Sequence, residues 1–219
     1  MENLIQTVAI YALPVVFAIT LHEAAHGYVA RHFGDPTAWQ LGRISLNPLR
    51  HVDPVGTVIV PLVILMLSKL GGGSGMLFGW AKPVPVNFSR LRNPKRDMLW
   101  VAAAGPGANL SMALGWAFIL KLTSLGPDNA YSLPLMEMAR AGIEVNLVLM
   151  ALNLIPIPPL DGGRIAVSLL PQRLAWHYSR IEPYGIFIVL ALLYLHVFDI
   201  ILFPLMGTAS GLIRMLFNF

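Results

Sequence analysis

The sequence predicts an all-α polytopic membrane protein, with about four to six transmembrane or re-entrant helices and a small β-hairpin near the membrane. Apolar residues make up 56% of its 219 positions and charged residues only 12%, a balance outside the usual soluble range. Residues 4–21, 98–120 and 145–160 contain no Asp, Glu, Lys or Arg, and two of these stretches approach the roughly 20 residues that a spanning helix needs. A fourth apolar stretch covers 184–198. The Lys and Arg behind the net charge of +4 sit in loops between apolar stretches, where they set topology. Nucleic-acid binding is not expected.

The first stretch lacks a basic n-region and a small-residue cleavage site, so it reads as a mature helix over about 3–32, stopped by Gly34, Asp35 and Pro36. A polar segment, 34–54, follows. Residues 55–70 are apolar but contain Pro61, and as a helix they reach only about 24 Å, short of the roughly 30 Å hydrocarbon core. They are expected to dip in and return. The glycine-rich run 71–75 leads into 77–88, where Pro83, Pro85 and the alternating Val84 and Val86 favour the extended hairpin.

Arg90, Arg92, Lys95 and Arg96 precede a helix expected over 98–121. After a loop with Gly126, Pro127 and Asp128, the next helix is expected to start near Ala139 and to break at Pro156, Pro158 and Pro159. Residues 182–219 form C-terminal helices, with 203–219 either interfacial or the rest of a kinked span. The whole of 1–219 reads as one membrane-embedded domain. The basic loops 31–53, 82–96 and 164–180 share the cytoplasmic side if the N-terminus is outside.

There is no cysteine, so a metal site here must use His, Asp or Glu. His22-Glu23-Ala24-Ala25-His26 places two imidazoles four residues apart on one helix face. That spacing lets both nitrogens reach one Zn²⁺ at about 2.0–2.1 Å, with Glu23 beside the water such an ion holds. Ionisable groups inside an apolar helix are costly and point to function; the alternative is that they satisfy one another or nearby backbone.

A catalytic zinc keeps three protein ligands and one open position. Asp161 is the candidate third ligand: it is the only acid between Glu144 and Glu182 and follows the proline-broken run Pro156-Ile157-Pro158-Pro159-Leu160. Non-helical backbone at membrane depth is tolerated where protein or a water-filled cavity satisfies it. Gly162 and Gly163 either let backbone approach closely or simply end the helix. His51 and Asp53 read as turn residues, and His196 and Asp199 as a pair satisfying each other. Trp39, Trp80, Trp100, Trp116 and Trp176 fit membrane interfaces and ordinary packing equally well.

Together these residues resemble the site-2 proteases, the intramembrane zinc metalloproteases of peptidase family M50. Their marks are an HExxH, here His22 to His26, and an Asn-x-x-Pro-x-x-x-x-Asp-Gly pattern, here Asn153, Pro156, Asp161 and Gly162. A small-residue motif on the intervening helix matches Gly105-Pro106-Gly107-Ala108-Asn109. The resemblance spans roughly 4–165, the expected catalytic core. It implies that His22, His26 and Asp161 bind zinc, that Glu23 is the general base activating the zinc-bound water, and that Asn109 and Asn153 steady substrate or oxyanion. The substrate it implies is a transmembrane segment of another protein, unfolded locally and added as a strand, which suits the hairpin.

By the same resemblance the protein is a multi-pass resident of a bacterial inner membrane, without PDZ or CBS domains, and 55–70 is an insertion. Oligomeric state is left open. Two other classes compete. A non-catalytic zinc scaffold would need no Glu23 and would close its fourth position; a transporter would show an inverted repeat.

Overall fold

The computed structural model describes residues 2–60, 63, 81–127, 129–195 and 197–219. Among the described residues there are eight α-helices and no strand. They are α1 (Glu2–His32), α2 (Thr37–Gln40), α3 (Pro94–Leu125), α4 (Ser132–Asn153), α5 (Asp161–Leu169), α6 (Gln172–Ser179), α7 (Gly185–Tyr194) and α8 (Val197–Phe217). Three of them hold stretches long and apolar enough to cross a membrane: Ile5–His32, Pro94–Leu125 and Ile200–Phe217.

The heart of the molecule is α1, α3 and α4 packed on one another, with α5 against α3 and α8 closing over α3 and α4. Small side chains set the spacing. Ala18 and Ala30 on α1, Ala113 and Ala117 on α3, and Ala139 and Ala151 on α4 are all fully buried, which is how helices approach closely where lipid removes the hydrophobic drive to associate. Gly142 leaves room on α4 for the indole of Trp116, which a Cβ there would strike. Ile213 from α8 completes a cluster with Ala113, Ala117, Leu147 and Met150.

Several boundaries differ from expectation. α3 begins at Pro94 rather than 98 because Pro94 occupies the first turn and the Asp97 carboxylate accepts the Asn93 N–H at 2.6 Å, a cap that extends the helix backward. α4 begins at Ser132, well before Ala139. Pro134 falls in its first turn, where a missing N–H costs no helical bond. The apolar stretch 184–198 is two elements, since α7 ends at Tyr194 and α8 starts at Val197. Residues 203–217 continue α8, with Pro204 inside it.

Of the expected re-entrant segment, Pro54–Ile59 forms one π-helical turn capped by Asp53, which accepts the Val55 and Gly56 N–H groups at 3.0 and 2.6 Å. Residues 61–62 and 64–70 lie outside the described residues, as do the first arm of the expected hairpin and Trp80. Its second arm, 81–87, carries no strand pairing. His196 and the Asp199 side chain also lie outside them.

Candidate metal centre

α1 delivers His22 and His26 from successive turns, and Asp161 arrives on the first residue of α5. The three side chains are buried, at 7, 9 and 6% exposure. His22 Nε2 stands 3.1 Å from His26 Nε2 and 3.2 Å from Asp161 Oδ2, and His26 Nε2 lies 3.3 Å from the same oxygen. Ligands of a tetrahedral zinc with bonds of 2.0–2.1 Å sit about 3.3 Å apart. The triangle therefore has the size of one face of a zinc tetrahedron.

The far side of each imidazole fixes its tautomer. His26 Nδ1–H donates to the Val101 carbonyl at 2.7 Å, a group that can only accept. His22 Nδ1–H donates to Asn109 Oδ1 at 2.6 Å, and Asn109 is oriented by its own donations to Ala18 O (3.3 Å) and Asn146 Oδ1 (3.0 Å). Asn146 in turn donates to Gly142 O at 2.8 Å. With Nδ1 protonated, a neutral imidazole presents a lone pair at Nε2.

Two lone pairs and a carboxylate oxygen thus converge where Asp161 Oδ2 has no hydrogen-bond partner. A single proton would bridge one pair of these atoms and leave the third unmet, a costly state for buried polar groups. A divalent cation satisfies all three at once, and the residues present fit it. Gly105 on α3 backs the pair, since a Cβ there would lie 2.5 Å from His22 Cε1 and His26 Nε2.

Asp161 reaches the centre because the chain folds tightly between α4 and α5. Ile157 N–H bonds Ile155 O, Leu160 N–H bonds Ile157 O, and Gly163 N–H bonds Leu160 O, at 2.8, 2.9 and 3.0 Å. A Cβ at Gly162 would strike the backbone of Leu154 and Ile155, and one at Gly163 the backbone of Ile157 and Pro158. Of the two readings of these glycines, close approach is the one realised.

Glu23 is half-buried and lines a cavity of about 800 Å³ with largely apolar walls that include Leu149 and Val189. Its Oε2 accepts the Val84 backbone N–H at 2.7 Å. Asn153 and Arg164 also face this cavity, as does Thr20, whose buried hydroxyl lacks a partner. Asn153 donates to Leu149 O one turn back at 3.0 Å. Asn109 is fully buried, its carboxamide bonded to His22, Ala18 and Asn146.

The arm 82–85 has no spare donor for an incoming strand. Lys82 N–H is taken by His51 O and Val84 N–H by Glu23, while Pro83 and Pro85 have none. His51 itself is a turn residue, its Nε2 on Ser45 O at 2.8 Å.

A family model described as peptidase family M50 matches residues 128–196, which contain Asp161 but not the histidine pair. The Bacillus subtilis (strain 168) protein named "Putative zinc metalloprotease YwhC" is 35% identical over 209 residues, covering 94% of this chain and 90% of that one. The chain belongs to peptidase family M50. As an M50 member it is also similar to the Rip2 proteins of Mycolicibacterium smegmatis (30% over 158 residues) and Mycobacterium tuberculosis (31% over 149 residues), spanning 56% and 51% of their lengths. No solved structure matches it. The resemblance drawn from the motifs is thereby borne out for the family.

Sequence reasoning on this M50 chain missed Val101, Asn146, Thr20 and the Val84 amide. The first and last act through backbone atoms, which leave no residue-type signal. Asn146 had one, a polar residue in the uncharged stretch 145–160.

Proposed function

We propose that this chain is an intramembrane zinc metalloprotease that hydrolyses peptide bonds in or near transmembrane segments of other proteins. One observation carries the reading: His22 Nε2, His26 Nε2 and Asp161 Oδ2 converge to within 3.3 Å of one another, beside a carboxylate from the same helix that opens on an apolar cavity. Zinc bound there supplies a Lewis acid that brings the pKa of a coordinated water to about 7 and polarises a carbonyl.

The chain's residues do the rest. Glu23 takes a proton from water and returns it to the leaving amine, the usual work of a general base that becomes a general acid. Asn109 and the Val101 carbonyl hold the two imidazoles in the tautomer that exposes Nε2. Asn153 and Thr20 supply polar contacts for a substrate backbone, and the apolar walls suit the side chains of a membrane segment. A zinc site serving only as a scaffold would need neither the carboxylate nor the cavity.

Glu23→Gln is expected to lower cleavage by a factor of at least about 10³, in the range lost with other essential proton-transfer groups, while zinc stays bound. Cleavage by that variant at the wild-type rate would remove Glu23 from the chemistry.

A further inference from the structure

Glu23 is anchored from outside its own helix. Its Oε2 accepts the Val84 N–H at 2.7 Å, and its Oε1 has no hydrogen-bond partner among the described residues. Because prolines lack an N–H, the run Pro83-Val84-Pro85 offers one backbone donor, and that donor is spent on Glu23. The segment carrying it is fixed along its length. Lys82 N–H bonds His51 O at 2.8 Å, and Arg43 Nη2 donates to Lys82 O at 2.9 Å and Pro83 O at 3.4 Å. Further on, Asn87 N–H bonds the fully buried Asp35 at 2.6 Å. The Val84 side chain is 5% exposed and packs on α1 at Gly27, where a Cβ would lie 3.3 Å from Val84 Cγ1.

We propose that the Val84 backbone N–H is the positioning group for Glu23, with Arg43 and His51 holding the segment that carries it, so that one carboxylate oxygen is fixed and the other faces the cavity. The inference rests on the general-base reading of Glu23. A glutamate has three rotatable bonds, and a base must stand within hydrogen-bond reach of the proton it takes. A misplacement of about 1 Å is enough to cost roughly 100-fold in rate. A charge-assisted bond from a backbone that cannot swing away removes that freedom.

Val84→Pro deletes the N–H while keeping the extended backbone that the flanking prolines already impose; Val84→Ala trims the side chain and keeps the N–H. With a quenched fluorescent peptide of apolar sequence as probe in detergent, Val84→Pro is expected to lower kcat about 10- to 100-fold at unchanged KM and zinc content. Val84→Ala should lose about tenfold less. Amide hydrogen exchange at Val84 gives a readout independent of cleavage: slow in wild type and faster in Glu23→Ala, with the other valines unchanged.

Wild-type kcat in zinc-loaded Val84→Pro, or an unprotected Val84 amide in the folded wild type, overturns the proposal. Should Val84→Pro not fold, Arg43→Ala replaces it, where a kcat loss at constant KM and zinc supports the proposal and an unchanged kcat overturns it. An active Glu23→Gln variant would sink the general-base reading of Glu23 instead, and the exchange experiment would still decide whether Val84 holds Glu23.

Discussion

His22 and His26 owe their readiness as ligands to atoms on another helix. Their spacing is local, so the pair was legible in five consecutive residues; the protons that make each Nε2 a lone pair are held by Asn109 and Val101 on α3. Asn109 was legible as a polar residue within a small-residue motif, to which the resemblance gave a role in steadying substrate or oxyanion. The structure makes it a support for His22. Asn109→Ala removes the acceptor for His22 Nδ1–H, and zinc affinity is expected to fall about 10- to 100-fold in competition with a coloured chelator. Affinity equal to wild type would deny the carboxamide that role.

Asp161 illustrates the scale of the element. Its candidacy came from scarcity of acids and a run of prolines, both readable along the chain. What places it is the fold of 154–163, in which Gly162 meets the backbone of Leu154 and Ile155 and Gly163 that of Ile157 and Pro158. Contacts between backbone segments carry no sequence pattern, so Gly162 and Gly163 stayed ambiguous until the turn was seen. Gly162→Ala drives a methyl group into the Leu154 and Ile155 carbonyls, an overpacking that costs about 1–3 kcal/mol. The expected result is a lower melting temperature in detergent together with weaker zinc retention; unchanged melting and zinc would mean that the turn yields freely. The starts of α3 and α4 were missed for a related reason. The Asp97 cap and the first-turn prolines were visible in the sequence, but apolar periodicity was given more weight than helix-start chemistry.

At the scale of the molecule, the apolar composition and the surface agree. Ile5, Phe17, Phe118, Ile200 and Phe203 are large hydrophobic side chains left exposed on the three long apolar helices, an arrangement that a hydrocarbon solvent stabilises and water does not. The family follows from similarity over nearly the whole chain. Whether a ladder of substrate hydrogen bonds forms on 81–87 was not legible in advance, because the expected hairpin rested on two prolines and the alternating Val84 and Val86, which favour extended backbone without saying where its donors go. Within that arm, 82–85 has spent its backbone donors on His51 and Glu23.

The central claim is that residues more than a hundred positions apart in the chain close one metal site between α1 and α5. Zinc measured by elemental analysis of detergent-purified protein tests it most directly, comparing wild type with Asp161→Ala and with the double change His22→Ala and His26→Ala. The account predicts about one zinc per wild-type chain, the stoichiometry of a single three-ligand site, and loss of it in both variants. A folded wild type without zinc, or an Asp161→Ala variant that keeps its full complement, would contradict it.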